Sequence, residues 1–150
     1  MDPELRIPLD SSLVRSAREV PVRVYTSEVD GGSSSAAARL KQAGVEVVAA
    51  PLNDRGIPVE LVLRDMVSAC GISTVFLEAG AGLLGRAFDE NVVNEAAVFI
   101  APRLMGDDQA MRAVGGLTRD RLDEAIRLRT WRTRHVGGDT LMRFTIDTAR

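Results

Sequence analysis

The residues most able to do chemistry lie in one short stretch that ends a run of apolar residues. Glu78 follows the apolar run at 74–77 and precedes four small residues, Ala and Gly in alternation, at 79–82. Small residues let phosphate groups approach the backbone, and free N–H groups at the start of a following helix attract an anion. Glu78 could orient a substrate hydroxyl or move a proton, or it could only cap the helix. The pattern predicts an anion site with a carboxylate beside it.

The glycines of this stretch are spaced as in a dinucleotide-binding fingerprint. Gly80-x-Gly82-x-x-Gly85 matches the Rossmann pattern, in which glycines permit a tight turn, phosphate approach and close helix packing. A Rossmann unit has an acidic residue at the end of its next strand, but here Arg103 follows that strand, and an arginine would suit a 2′-phosphate. The glycines also fall in the third strand-helix unit instead of the first. They leave open whether the stretch binds a nucleotide or only forms a tight turn.

A regular alternation of strands and helices would position this turn. Apolar and β-branched runs predict strands at 21–25, 45–50, 74–77 and 95–101, and helical spacing predicts helices at 36–43, 59–70 and 83–88. A loop at 30–33 precedes the first helix, which Ser33 or Ser34 can cap. This order predicts an α/β fold, a mostly parallel sheet with right-handed crossovers and helices on its faces.

The two ends of the chain depart from this alternation. Residues 1–19 show no clear period and contain Pro3 and Pro8, so we expect a packed arm without a regular element. The strand at 95–101 is apolar enough for burial on both faces. After an irregular loop at 105–116 and a helical turn at 119–124, residues 126–147 alternate around two glycines. That alternation predicts a β-hairpin added to the sheet as antiparallel strands.

Other reactive side chains have simpler explanations. The apolar stripe of the helix at 59–70 ends at Cys70, so we expect a buried, structural thiol. His135 lies in the predicted hairpin, where a surface or packing role is expected, and Trp131 is expected in the core or on a sheet face. Since the chain has one cysteine and one histidine, it cannot build a conventional zinc site, and we expect no metal.

Length and composition predict a single globular domain. The chain has 150 residues, 45% of them hydrophobic, and a net charge of −2, which gives no electrostatic argument for nucleic-acid binding. The arginines at 119–134 interleave with acidic residues, as on a solvated face. No apolar run is long enough for a membrane span and the N-terminus lacks the features of a signal peptide, so we expect a cytoplasmic protein.

Four blocks of sequence carry a resemblance to a known family. They are 77–83 (LEAGAGL), 93–95 (VNE), 99–106 (FIAPRLMG) and 135–139 (HVGGD). In this order and at these spacings they resemble the reductase domain of bacterial riboflavin-biosynthesis deaminase-reductases, over most of residues 20–147. The resemblance implies a dihydrofolate-reductase-like fold, a three-layer mixed sheet with flanking helices and a C-terminal antiparallel hairpin.

The resemblance also implies an activity. Such domains use NADPH to reduce 5-amino-6-(5-phosphoribosylamino)uracil to the ribitylamino compound, so the partner is a small phosphoribosylamino-pyrimidine, and we expect a homodimer. By match to the family's motif, Glu78 would be the catalytic residue and would contact the substrate ribose. The residues implied to line the NADPH phosphates are Gly80, Ala81, Gly82, Leu83, Leu84, Gly85 and Arg86.

The family's reductase domain begins with an earlier strand-helix-strand section that carries substrate and cofactor residues, and the resemblance places Met1 after it. We therefore expect the NADPH-binding part of a reductase, truncated or mis-started at Met1, in which half a substrate pocket would not catalyse. One alternative is a non-catalytic nucleotide-binding or assembly module that keeps the fold. Another is a related reductase acting on a different pterin-like or pyrimidine substrate.

Overall fold

The structure is a computed structural model that describes residues 1–27, 34–116 and 121–146. The chain forms two compact units, Met1–Ser73 and Thr74–Arg150, and each contains its own sheet. The single domain expected from the length stays a prediction. The expected loop at 30–33, the alternative cap Ser33 and the start of the helical turn at 119–124 lie outside the described residues.

The first unit follows the predicted strand-helix alternation. Its elements are α1 (Ser12–Arg15), β1 (Arg23–Ser27), α2 (Ser35–Gln42), β2 (Glu46–Ala50) and α3 (Val59–Cys70). β1 and β2 pair in parallel, as predicted, with Arg23 opposite Glu46. Ser34 caps α2, because its hydroxyl accepts a hydrogen bond from the Ala37 N–H at 3.1 Å.

The N-terminal arm is packed into the first unit, as the sequence predicts. Leu5 and Val14 belong to a buried cluster that also contains Leu40 of α2. The Pro3 carbonyl accepts hydrogen bonds from the Ser27 N–H at 3.1 Å and from a threonine hydroxyl of β1 at 3.0 Å. The expectation that the arm has no regular element is wrong over one turn, α1, since Ser11 caps that turn and the burial of Val14 holds it.

Helix α3 covers the sheet with only the first part of its apolar stripe. Val59 and Val62 are buried, and Val62 packs in a cluster with Tyr25 and Ile57. Cys70 is exposed, so the expected buried thiol is wrong. The described sheet of this unit has two strands, and it covers the start of the stripe but not its end. Gly71, with φ +66°, ends the helix in the left-handed conformation that glycine adopts without strain.

A polar network connects β1, β2 and α3. The Arg23 guanidinium donates to both carboxylate oxygens of Glu46, at 2.9 and 2.5 Å, and also donates to Asp65 Oδ2. The Tyr25 hydroxyl donates to the same Asp65 oxygen at 2.7 Å. Burial raises the pKa of Tyr25, and the bond to Asp65 raises it further. The hydrogen bond to Glu46 is the main reason that the pKa of Arg23 lies above its ordinary value.

The described part of the second unit contains one α-helix and three antiparallel strands. Its elements are α4 (Ala81–Asp89), β3 (Glu95–Ile100), a 3₁₀ turn (Leu122–Glu124), β4 (Leu128–Val136) and β5 (Asp139–Ile146). The strand order is β3-β5-β4, and β4 and β5 form the predicted hairpin. Trp131 lies opposite Phe144 on one sheet face and is 63% exposed, and His135, opposite Thr140, is also exposed. Trp131 is thus on a sheet face, one of its two expected places.

Two strand predictions in this unit need correction. The described segment 71–80 contains no strand, and Phe76 is 82% exposed, so the strand expected at 74–77 is absent. β3 forms where expected, but it pairs antiparallel with β5 and most of its side chains are exposed. The two corrections share a physical reason, because an apolar run indicates only a preference for burial and specifies neither a hydrogen-bonding partner nor its direction.

In the part of the chain that is described, no helix has the length and apolar character needed to cross a membrane.

Candidate functional site

The turn that leads into α4 presents backbone donors at its surface. Gly80 is the N-cap residue in extended conformation, and its carbonyl accepts the N–H groups of Leu83 and Leu84, each at 3.1 Å. Among the described residues, no acceptor is recorded for the N–H groups of Ala81 and Gly82. The first turn of α4 contains no acidic side chain. Its positive dipole end is therefore available to an anion.

The first two glycines of the fingerprint face open space. A Cβ added at Gly80 or Gly82 would meet no heavy atom within 4 Å. A phosphate group could therefore come close to the backbone at both positions. This opening, together with the two donors, fits the pyrophosphate of a dinucleotide, so the residues present are compatible with the group that the sequence implies.

The third glycine of the fingerprint has a different environment. Gly85 is buried, and a Cβ added there would lie 2.3 Å from the carbonyl carbon of Gly115 and 2.5 Å from the nitrogen of Gly116. Gly85 is therefore a packing glycine at a contact between two backbones. The sequence leaves open whether these glycines admit a nucleotide or only permit tight packing. Within this one motif, Gly80 and Gly82 lie in an open turn, whereas Gly85 packs closely against another segment.

The remaining predicted site residues lie on or beside α4. Glu78 is exposed and stands two residues before the N-cap Gly80, and no hydrogen-bond partner of its carboxylate is recorded among the described residues. Leu83 and Leu84 are half-buried in the first turns, and Arg86 is half-buried in the last turn. Glu78 and the seven predicted cofactor residues are neighbours in the sequence, and the structure places them on α4 and on the turn before it. Their roles stay predictions.

Sequence reasoning missed the two glycines that meet this helix. Gly115 and Gly116 are the last described residues of the irregular segment that follows β3, and the Gly115 N–H donates to the Ala81 carbonyl at 2.8 Å. The available signal was an adjacent glycine pair inside a long loop, which marks a close backbone approach but not its partner.

The second unit also contains a cavity of about 220 Å³ beyond the C-terminal end of α4. Phe88 and Val93 line it with apolar surface, and Glu124 and Arg127 add charged groups. None of the predicted site residues lines this cavity. In the described ranges, no group of three or more His, Cys, Asp and Glu side chains is placed to hold a metal ion.

Comparison with known proteins identifies the family. The sequence model of the RibD C-terminal domain matches residues 1–142. The chain belongs to this family. It is 28% identical over 97% of its length to the riboflavin biosynthesis protein RibD of Actinobacillus pleuropneumoniae, and it spans 38% of that relative. The match to RibD of Aquifex aeolicus is similar, with 27% identity and 37% of the relative covered. The chain therefore spans less than two-fifths of these RibD proteins.

A shorter relative and the solved structures add to this assignment. The 2,5-diamino-6-ribosylamino-4(3H)-pyrimidinone 5′-phosphate reductase of Methanothermobacter thermautotrophicus is 31% identical over 97% of the chain and 67% of its own length. RibD of Acinetobacter baumannii matches in structure with a TM-score of 0.76 at 20% identity, over 94% of the chain and 35% of that protein. The riboflavin biosynthesis reductase Rib7 of Saccharomyces cerevisiae matches with a TM-score of 0.69 at 13% identity, over 96% of the chain and 61% of that protein. These structures confirm the predicted α/β, dihydrofolate-reductase-like fold class of this RibD C-terminal domain.

Proposed function

We propose that this RibD C-terminal domain binds NADPH and serves the reduction of 5-amino-6-(5-phosphoribosylamino)uracil to the ribitylamino compound in riboflavin biosynthesis. The observation that carries the proposal is the turn from Glu78 to Gly82, with two open glycines and two unused backbone donors, in a chain of this family. The pyrimidinone phosphate reductase relative, at 31% identity, supports the same class of reaction.

In this proposal the start of α4 binds the cofactor phosphates. The N–H groups of Ala81 and Gly82 donate to phosphate oxygens, and the positive end of the helix lowers the energy of the negative charge. Arg86 adds positive charge to the same helix. NADPH, when bound, supplies the hydride that reduces the ribosyl carbon.

Glu78 has the proposed catalytic role. Its exposed carboxylate stands just before the phosphate-binding turn, where it can accept a hydrogen bond from a ribose hydroxyl and so orient the sugar. Glutamine at this position keeps the shape and one acceptor oxygen but loses the charge. A charged hydrogen bond to a substrate is worth about 1.5 to 3 kcal/mol, which corresponds to roughly a 10- to 150-fold loss of turnover.

Two measurements test this function. Calorimetric titration with NADPH and, separately, NADH is expected to show binding with preference for NADPH. In a chain that also carries the family's earlier section, loss of NADPH absorbance in the presence of the substrate then reports reduction, and Glu78→Gln is expected to reduce its rate while NADPH binding is kept. Glu90→Gln, which makes the same change of charge at the other end of α4, is the matched control.

The outcomes separate the alternatives. Unchanged turnover in Glu78→Gln would refute the role of Glu78, and equal turnover with a pterin-like substrate would favour the related reductase. A folded chain that binds neither dinucleotide would refute the proposal and favour a module that keeps the fold for assembly alone. We also propose a homodimer in the cytoplasm, and the solution mass of the calorimetry sample tests the assembly.

A further inference from the structure

A loop without regular secondary structure contacts α4 through backbone atoms. The segment 101–116 contains no helix or strand, and it meets α4 at Gly115 and Gly116. The Gly115 N–H donates to the Ala81 carbonyl at 2.8 Å. A Cβ added at Gly115 would lie 3.1 Å from that carbonyl oxygen, so the two backbones approach as closely as a missing side chain allows.

The contact continues along the helix. A Cβ added at Gly85 would lie 2.3 and 2.4 Å from the carbonyl carbon and oxygen of Gly115, distances at which the backbones must separate. Gly116 has φ +106°, and a Cβ added there would lie 2.7 Å from Asp89 Oδ2. Glycine is therefore required on both sides of the contact, which runs from the first residue of α4 to its last.

The contact holds the residue that supplies a proposed phosphate donor. Ala81 is the first residue of α4, its carbonyl is bonded to Gly115, and its N–H is one of the two unused donors. The carbonyl of Ala81 belongs to the same peptide plane as the N–H of Gly82, the second donor. Any movement of the loop at Gly115 therefore rotates or shifts a donor of the turn.

We propose that Gly115 and Gly116, together with Gly85, position the first turn of α4 for the phosphates of the dinucleotide. This inference rests on the proposed function. It assigns the Gly115–Gly116 pair a role in cofactor affinity although neither residue belongs to the fingerprint. It also gives Gly85 a different role from Gly80 and Gly82, since among these three glycines protein backbone occupies the side-chain space only at Gly85.

The structure predicts a graded series of variants. In Gly85→Ala the backbones must separate by about 1 Å to restore ordinary contact, since the added Cβ starts 2.3 Å from a carbonyl carbon. In Gly115→Ala a few tenths of an ångström suffice, because that Cβ starts at 3.1 Å. Gly138→Ala is the matched control, since a Cβ there meets no heavy atom within 4 Å.

The experiment measures cofactor affinity and local order in the same variants. NADPH dissociation constants are determined by calorimetry at a temperature where circular dichroism shows each variant fully folded. Hydrogen exchange of the Leu83 and Leu84 amides, which donate to the Gly80 carbonyl, is measured without ligand. We expect roughly 10- to 150-fold weaker binding in Gly85→Ala, which corresponds to the loss of one hydrogen bond to a charged phosphate, and a smaller loss in Gly115→Ala. Exchange at Leu83 and Leu84 should be faster in both variants and unchanged in Gly138→Ala.

The outcomes decide whether the glycine pair positions the phosphate-binding turn or only stabilises the fold. A purely structural role would lower the melting temperature of Gly115→Ala and leave its affinity in the folded state unchanged, which would overturn the proposal. If Gly85→Ala does not fold, Gly115→Ala still carries the test. A folded wild-type chain that binds no NADPH would refute the proposed function instead, and the exchange rates would then decide on their own whether the glycine pair orders the turn.

Discussion

Replacing Asp65 by asparagine is expected to weaken the first unit and to change the titration of its tyrosine. Asp65 accepts hydrogen bonds from the Arg23 guanidinium and, at 2.7 Å, from the Tyr25 hydroxyl. Asparagine keeps an oxygen acceptor in nearly the same place but removes the charge. The substitution thus isolates the electrostatic part of the contact between α3 and the sheet.

The size of the stability loss follows from the burial of the Asp65–Arg23 pair and from the bonds that Arg23 keeps to Glu46. The Asp65 side chain is 31% exposed and that of Arg23 is 15% exposed, so solvent screens the pair only partly. Arg23 keeps both of its bonds to Glu46, and it is not left as an unpaired buried charge. A charge-assisted hydrogen bond contributes about 1.5 to 3 kcal/mol, and we expect the lower end, about 1.5 kcal/mol, in urea denaturation at neutral pH.

The pKa of Tyr25 provides a second, spectroscopic reading. Tyr25 is the only tyrosine in the chain, so the ultraviolet absorbance of tyrosinate reports this side chain alone. Burial is the main cause that raises its pKa, and Asp65 raises it further through the hydrogen bond and through its charge. Asp65→Asn should therefore lower the pKa of Tyr25, while burial keeps it above the ordinary value.

The same shift makes stability depend on pH in a defined direction. Since the pKa of Tyr25 is higher in the folded than in the unfolded chain, the folded state keeps the proton to a higher pH. The stabilisation is complete below the unfolded tyrosine pKa, about 10, and it is lost as the pH rises through the folded value, by at most about 1.4 kcal/mol per pH unit. Tyr25→Phe should remove this component of the pH dependence.

Glu60→Gln is the control, because Glu60 lies on the same helix and its carboxylate pairs with Arg64 instead of with the sheet residues. The reasoning is refuted if the pKa of Tyr25 is the same in Asp65→Asn and Glu60→Gln, or if the two variants lose equal stability.

Two further predictions concern the first unit. Leu40→Ala should lower the free energy of unfolding by about 3 kcal/mol in denaturant, because Leu40 is 2% exposed. Leu13→Ala, at a side chain that is 52% exposed, should cost less than about 1 kcal/mol. Equal losses would contradict the assigned core. Ser34→Ala should cost about 1 kcal/mol by leaving the Ala37 N–H without its cap, while Ser35→Ala, within the first turn, should be close to neutral by the same measurement.

Local structure could largely be predicted from the sequence. β1, β2, α2, α3 and the hairpin form within a few residues of their expected positions, because side-chain period, caps and glycine stops are local signals. Ser34 shows this, since it begins α2 through its own side chain.

Pairing and burial could not be predicted in the same way. The run at 95–101 was expected in a parallel sheet, but β3 pairs with β5, a strand some 40 residues further along the chain, and antiparallel pairing does not change the composition of the strand. Cys70 continues the apolar stripe of α3 without error in period, yet it is exposed. A stripe indicates which side of a helix prefers burial, and the width of the opposing sheet decides how much of the stripe is buried.

The fingerprint itself shows where sequence reasoning about the site ends. Its spacing predicts a turn that a phosphate can approach, and the open space at Gly80 and Gly82 agrees with that. The spacing also requires a small residue at Gly85, but the backbone that lies against it comes from Gly115 and Gly116, thirty residues later. A motif can therefore name the positions where side chains are forbidden, while only the fold shows whether a ligand or another segment of the chain takes their place. At this helix both occur, with ligand space at the first two glycines and the loop at the third, and affinity for a phosphate should depend on both.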